Sequence, residues 1–183
     1  ASLLGWAVWE HDGTTWTQSN VAPPFANCHG LVFHTQRARV VAYSSTGLSE
    51  WNGIAWQALP AGGSPPPAST SGSAYDVLYD AQRNRLAVCS RALASSGSLW
   101  EWSLATGWQV VQATSLGENV RAGFDPVRNR YLCVARPTLA ATDFVWEFAA
   151  GSGNPWQLVG QTLWPTGDGA LVFDSTSSRT LML

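Results

Sequence analysis

The sequence contains no lysine: its ten basic residues are all arginine, set against twelve acidic ones, for a formal net charge of −2 over 183 residues. A basic patch of the size that nucleic acid demands is therefore excluded. Charge of either sign is scarce, at 12% of residues, while 45% are hydrophobic, which argues against a disordered chain. No apolar run approaches the roughly 20 residues of a membrane-spanning helix, and the first residues lack the basic start of a signal peptide. The three cysteines, Cys28, Cys89 and Cys133, form no CxxC pair and are odd in number. Neither a zinc knuckle nor a disulfide framework is indicated, and they read as small apolar strand residues. Catalytic signatures are missing too: there is no GxSxG, HExxH, P-loop or GxGxxG. No N-x-S/T sequon occurs.

What the chain does have is a repeat. "LVFHTQRARVVAY" from Leu31 returns as "VLYDAQRNRLAVC", "AGFDPVRNRYLCV" and "LVFDSTSSRTLML". Its reference positions, His34, Asp80, Asp125 and Asp174, are spaced by 46, 45 and 49 residues. A second motif keeps phase with the first: "WEHDGTTW", "EWNGIAW", "WEWSLATGW" and "WEFAAGSGNPW", closing on Trp16, Trp56, Trp108 and Trp156. A period in this range belongs to propellers and related arrays.

Each motif predicts a hairpin. Asp-Gly and Asn-Gly between alternating segments suggest tight turns in which both residues reach positive φ. In Asp-x-x-Arg-x-Arg, the carboxylate can hold the amides of the turn before the next apolar run begins. A unit of four short strands, apolar on both faces, has to stack on its neighbours. The tryptophans then read as large apolar plates filling the wedge between units, rather than as a ligand platform. Acids at equivalent places, Glu10, Glu50, Glu101 and Glu147, signal scaffold more than catalysis.

These residues resemble the kelch superfamily, in its bacterial form with a "YDxxRxRxVLFGG … WEWDGxxW" pattern. The resemblance rests on "YDAQRNRLAV", "FDPVRNRYLCV" and "WEHDGTTW", and extends over all four units. "AYSS", "VCSR" and "VARP" stand where the pattern has its Gly-Gly, His34 replaces an Asp, and Ser177 replaces an Arg. The implied fold is an all-β propeller of four-stranded blades, forming one domain over 1–183. Its units span approximately 28–60, 73–113 and 120–160, with 1–18 and 169–183 sharing a closing blade. A four-bladed ring, an eight-bladed ring from two chains, or a piece of a longer chain would each fit, so a homodimer is one expectation.

The resemblance also implies a binding face, made by the loops leaving the second and fourth strands of each blade. Carried onto this chain, the candidates are His29, Arg91, Glu118, Arg121, Arg136, Asp143, Trp164 and Asp168. The expected function is a non-catalytic module that contacts a protein or a glycan there. A lectin-like binder using exposed tryptophans such as Trp164 is one alternative. A propeller enzyme, with His29, Arg121 and Asp168 at the channel mouth, is the other. No cofactor is expected. No metal is expected either, since His11, His29 and His34 all lie in the first unit and Cys28 and His29, adjacent on a strand, point to opposite faces. Bacterial chains with this pattern are often exported, which slightly favours export or a cell-surface location, although unpaired cysteines argue the other way.

Overall fold

The computed structural model describes residues 7–25, 27–67, 75–91, 97–113, 115–136, 142–162 and 170–182, with the backbone alone for 118 and 119. Every helix or strand among them is a β-strand. A hairpin of β1 (Trp9–His11) and β2 (Trp16–Gln18) comes first. The first four-stranded sheet follows, with β3 (Cys28–His34), β4 (Arg39–Ser44), β5 (Gly47–Trp51) and β6 (Trp56–Ala58). The second holds β7 (Tyr75–Asp80), β8 (Arg85–Ser90), β9 (Leu99–Ser103) and β10 (Gly107–Gln112). The third holds β11 (Glu118–Asp125), β12 (Arg130–Arg136), β13 (Asp143–Ala149) and β14 (Gln157–Thr162), and the hairpin of β15 (Leu171–Asp174) and β16 (Arg179–Met182) comes last. Each four-stranded sheet is an antiparallel meander in chain order. The two hairpins are separate two-stranded sheets, and no ladder among the described residues joins β1 to β16.

The recurring turns explain the meander. After β7 and β11 the carboxylates of Asp80 and Asp125 each accept two amides, from Gln82 and Arg83 at 2.9 and 3.0 Å and from Val127 and Arg128 at the same distances. Asn84 and Asn129 then take positive φ, 53° and 51°, as do Ala38 and Ser178 at the same place in their units. That left-handed residue closes a short hairpin loop built on a type I turn.

The Asp-Gly and Asn-Gly turns differ from expectation. Only the glycines have positive φ, 102° at Gly13 and 92° at Gly53, because each loop has two residues more than a tight turn, the strands closing at His11 opposite Trp16 and Trp51 opposite Trp56. Asp12 Oδ1 accepts the amides of Thr14 and Thr15 at 2.8 Å, and Asn52 Oδ1 those of Ile54 and Ala55 at 2.9 and 2.8 Å. A side chain that captures two amides favours a four-residue loop over a two-residue one.

The first strand of each unit lies beside the next: β3 against β7, β7 against β11, β11 against β15. Approach is close enough that a Cβ on Gly123 would stand 2.9 Å from Leu171 Cβ, so glycine is required there. The sheets stack through two apolar layers. Val41, Tyr43 and Leu48 of the first sheet meet Leu86, Val88, Trp100, Trp102 and Trp108 of the second. Ala87, Cys89 and Leu99 on the second sheet's other face meet Tyr131, Cys133, Phe148 and Trp156 of the third. Alternation of side chains along each strand gives every sheet a face for each neighbour. Trp102 and Trp108 are fully buried in this way, and truncating such a plate costs about 3–5 kcal/mol.

Candidate functional site

Most of the charge is spent on the scaffold. Arg83 joins Asp80 Oδ2 at 2.6 Å and reaches across to Glu101 on β9, while its Nη2 donates to the Tyr131 hydroxyl at 3.0 Å. Tyr131 in turn donates to Glu101 Oε1 at 3.0 Å. Arg128 repeats the bridge between Asp125 (2.7 Å) and Glu147 (2.6 Å). In the first unit, Arg37 forms a fork on Glu50 at 2.8 and 2.9 Å. These arginines tie the two hairpins of a sheet together.

A second polar group gathers where β3, β7 and β11 begin and β8 and β12 end. His29 on β3 lies between the rings of Tyr43 and Tyr75, with centroids at 5.3 and 5.1 Å. Arg91, just past β8, pairs with Asp76 at 3.6 Å. Arg121 on β11 is buried, and its Nη1 donates to the Val120 carbonyl at 2.8 Å. Arg136 forms a two-point pair with Asp143 at 2.8 and 3.2 Å, bridging the end of β12 and the start of β13. Glu118 opens β11 opposite Arg136 in the ladder. Trp164 and Asp168 lie outside the described residues.

Asp76 was not among the expected residues, yet it links this group. Its Oδ2 accepts the Ala122 amide at 2.7 Å, which stitches β7 to β11. Burial pushes its carboxyl above the usual range, against the pull of Arg91, that amide and Arg121. Sequence carried one faint signal: Asp76 and Arg121 occupy the same repeat position, four before the turn Asp, where an apolar first strand should not need charge.

Beside this group, between the first two sheets, opens a cleft of about 260 Å³. Tyr43 and Trp108 form its apolar wall, Pro65 and Pro66 a rigid edge, and Ser44, Ser45 and Thr46 line it with polar backbone and hydroxyl-bearing residues. Ser44 and Thr46 hydroxyls are 3.0 Å apart and fix the tight turn to Gly47. Two wider hollows flank the stack: one of about 390 Å³ includes Trp9, Phe25, Leu31 and Trp56, and one of about 640 Å³ lies between the third sheet and β15–β16. Among the described residues no cluster of His, Cys, Asp or Glu is placed to hold a metal, and no helix is long and apolar enough to cross a membrane. No protein-family model, curated protein or solved structure matches the chain.

Proposed function

We propose that this protein is a non-catalytic interaction module of the kelch-like propeller type, contacting a protein or glycan at the end of the sheets where His29, Arg91, Arg121 and Arg136 gather. The observation that carries this reading is the 260 Å³ cleft at that end. An aromatic wall beside polar loop residues, all on short hairpins held by neighbouring sheets, suits a flat ligand with hydroxyl or amide edges. The charged groups nearby support recognition over chemistry: Arg136 and Asp143 are engaged with each other, and Asp76 is bound to a backbone amide.

The test is a glycan array and a displayed-peptide library, each probed with the native chain and with Thr46→Arg, which places a long side chain across the cleft. The expected result is at least one glycan or peptide class bound by the native chain and weakened at least tenfold by the variant. Equal binding by both would move the site elsewhere on the molecule. Turnover of the bound glycan or peptide would replace the binding module with an enzyme.

A further inference from the structure

Two of the three thiols meet where the second sheet packs on the third. Cys89 on β8 and Cys133 on β12 are both fully buried in the one apolar layer that the two sheets share, together with Ala87, Leu99, Tyr131 and Phe148. Both are free cysteines. The repeat explains how they come to face each other. Cys89 stands nine residues after Asp80, as Tyr43 stands nine after His34, and Cys133 stands eight after Asp125, as Val88 stands eight after Asp80. Tyr43 and Val88 belong to the layer between the first and second sheets. The two cysteines take the same two positions one interface further on.

Their neighbours hold that arrangement in place. In the ladders Cys89 lies opposite Asp76 and Cys133 opposite Ala122, and Asp76 Oδ2 accepts the Ala122 amide at 2.7 Å. A polar bond thus joins the two sheets beside the pair. The thiols themselves are close enough to interact: burial first, and then a hydrogen bond with the Cys89 side chain, push the Cys133 thiol well above its ordinary value. Cys28 is placed differently, since its Sγ turns to the carbonyls of Gly30 and Tyr43 within its own sheet, at 3.5 and 3.8 Å. It is the odd one of the three.

We propose that Cys89 and Cys133 are a redox pair, which a low-molecular-weight disulfide converts into a bond that staples the second sheet to the third. One protein thiolate attacks the small disulfide and expels one small thiol, and the second protein thiolate attacks the mixed disulfide so formed and expels the other. Two protein thiols are oxidised, and their hydrogens end on the two small thiols. The closed core decides when this happens. With both sulfurs out of water and Cys133 held protonated, neither is a nucleophile in the folded chain, so the bond forms while the chain folds and is afterwards shielded from reductant. The pair therefore records the redox state of the compartment in which the chain folded. Its members are 44 residues apart and meet only through sheet stacking, which is why neither a CxxC spacing nor an even count announces them. The inference does not depend on the ligand cleft.

The experiment unfolds the native chain in urea with dithiothreitol, removes the reductant, and refolds the chain in a mixture of oxidised and reduced glutathione. Folded, reduced chain is placed in the same mixture in parallel. After alkylation of the remaining thiols, peptide mapping by mass spectrometry locates the bond. The expected result is a Cys89–Cys133 link in the refolded chain, formed roughly tenfold more slowly in the chain that was already folded. Circular dichroism should be unchanged and the urea midpoint raised above that of the reduced chain, because the link restricts the unfolded chain. Cys133→Ala should show no such rise in the glutathione mixture. A link that includes Cys28, or no link at all after refolding, overturns the proposal. So does a linked chain that has lost the native circular dichroism, since its sulfurs then do not meet in this structure. Linking of the folded chain as fast as the refolding one overturns the assignment of the bond to the folding step.

Discussion

The second and third sheets carry the same three charged residues in the same places and use them under different roofs. Asp80, Arg83 and Glu101 are covered by the third sheet, whose Tyr131 hydroxyl bridges Arg83 and Glu101. Asp125, Arg128 and Glu147 are met by Thr180 from a two-stranded hairpin and look into the hollow of about 640 Å³. Local sequence builds both ion-pair bridges. The carboxylates are buried in both; the neighbouring unit decides how far the bridging guanidinium is exposed, 24% at Arg83 and 51% at Arg128, and thereby what it contributes.

Truncation should expose that difference most strongly. Arg83→Ala strands the fully buried Asp80 and the nearly buried Glu101 without their cation, and should cost about 3 kcal/mol. Arg128→Ala removes a guanidinium that is already half exposed, 51% against 24% for Arg83, from acids that are themselves buried, and should cost less, about 2 kcal/mol. Urea unfolding of both variants measures the gap. Equal losses would mean that exposure of the guanidinium does not set what its bridge contributes.

Tyr131→Phe sharpens the same contrast from the other side of the interface. It removes the hydroxyl that links Arg83 to Glu101 and leaves the ring in place, stacked on Phe148 at 6.2 Å. Loss of a hydrogen-bonded hydroxyl from a buried charge network should cost about 1.5 kcal/mol. In a double-mutant cycle with Arg83→Ala, the Tyr131→Phe effect should shrink by more than half. Additive losses would show that the tyrosine acts through packing alone.

The contrast also marks how far sequence reading reached. The turn carboxylates were legible because Asp80, Asp125 and Asp174 act on amides two and three residues ahead, inside the repeating motif. Paired tryptophans were legible as plates, but their fates were not: Trp108 and Trp16 close the same motif and are 2% and 67% exposed. Burial of that kind is set by a neighbouring sheet distant in sequence, Tyr43 and Leu48 for Trp108, which the local pattern does not encode. Asp76 escaped for the same reason, since its partner, the Ala122 amide, lies on the next unit's first strand. The four-residue loops at Asp12 and Asn52 were misread as two-residue turns because the dipeptide signal ignores what the Asp or Asn side chain does with the following amides.

The smallest expected effect concerns the unit that breaks the pattern. His34 stands where the next two units have the buried Asp80 and Asp125, and it is itself buried, with its ring 4.6 Å from that of Tyr79. Burial, with Arg37 nearby, holds its imidazole below the ordinary value, and the opposing pull of Glu50 does not restore it. A lowered folded value means the unfolded chain takes the proton first. The stability contributed by neutral His34 is therefore complete above about pH 6.5 and is lost as pH falls from there through the folded value. Asp125 behaves differently: burial raises its carboxyl, but the amide and guanidinium of Arg128 outweigh that and hold it below 3.8, so its contribution persists until strongly acid conditions. Urea midpoints of the native chain should begin to fall near pH 6.5, with a slope below about 1.4 kcal/mol per pH unit. The His34→Asp chain should lack that early decline, because its turn can hold the amides of Gln36 and Arg37 as Asp80 holds those of Gln82 and Arg83. An early decline that survives the substitution would assign it to another histidine and leave the first unit's turn no more sensitive to pH than its siblings.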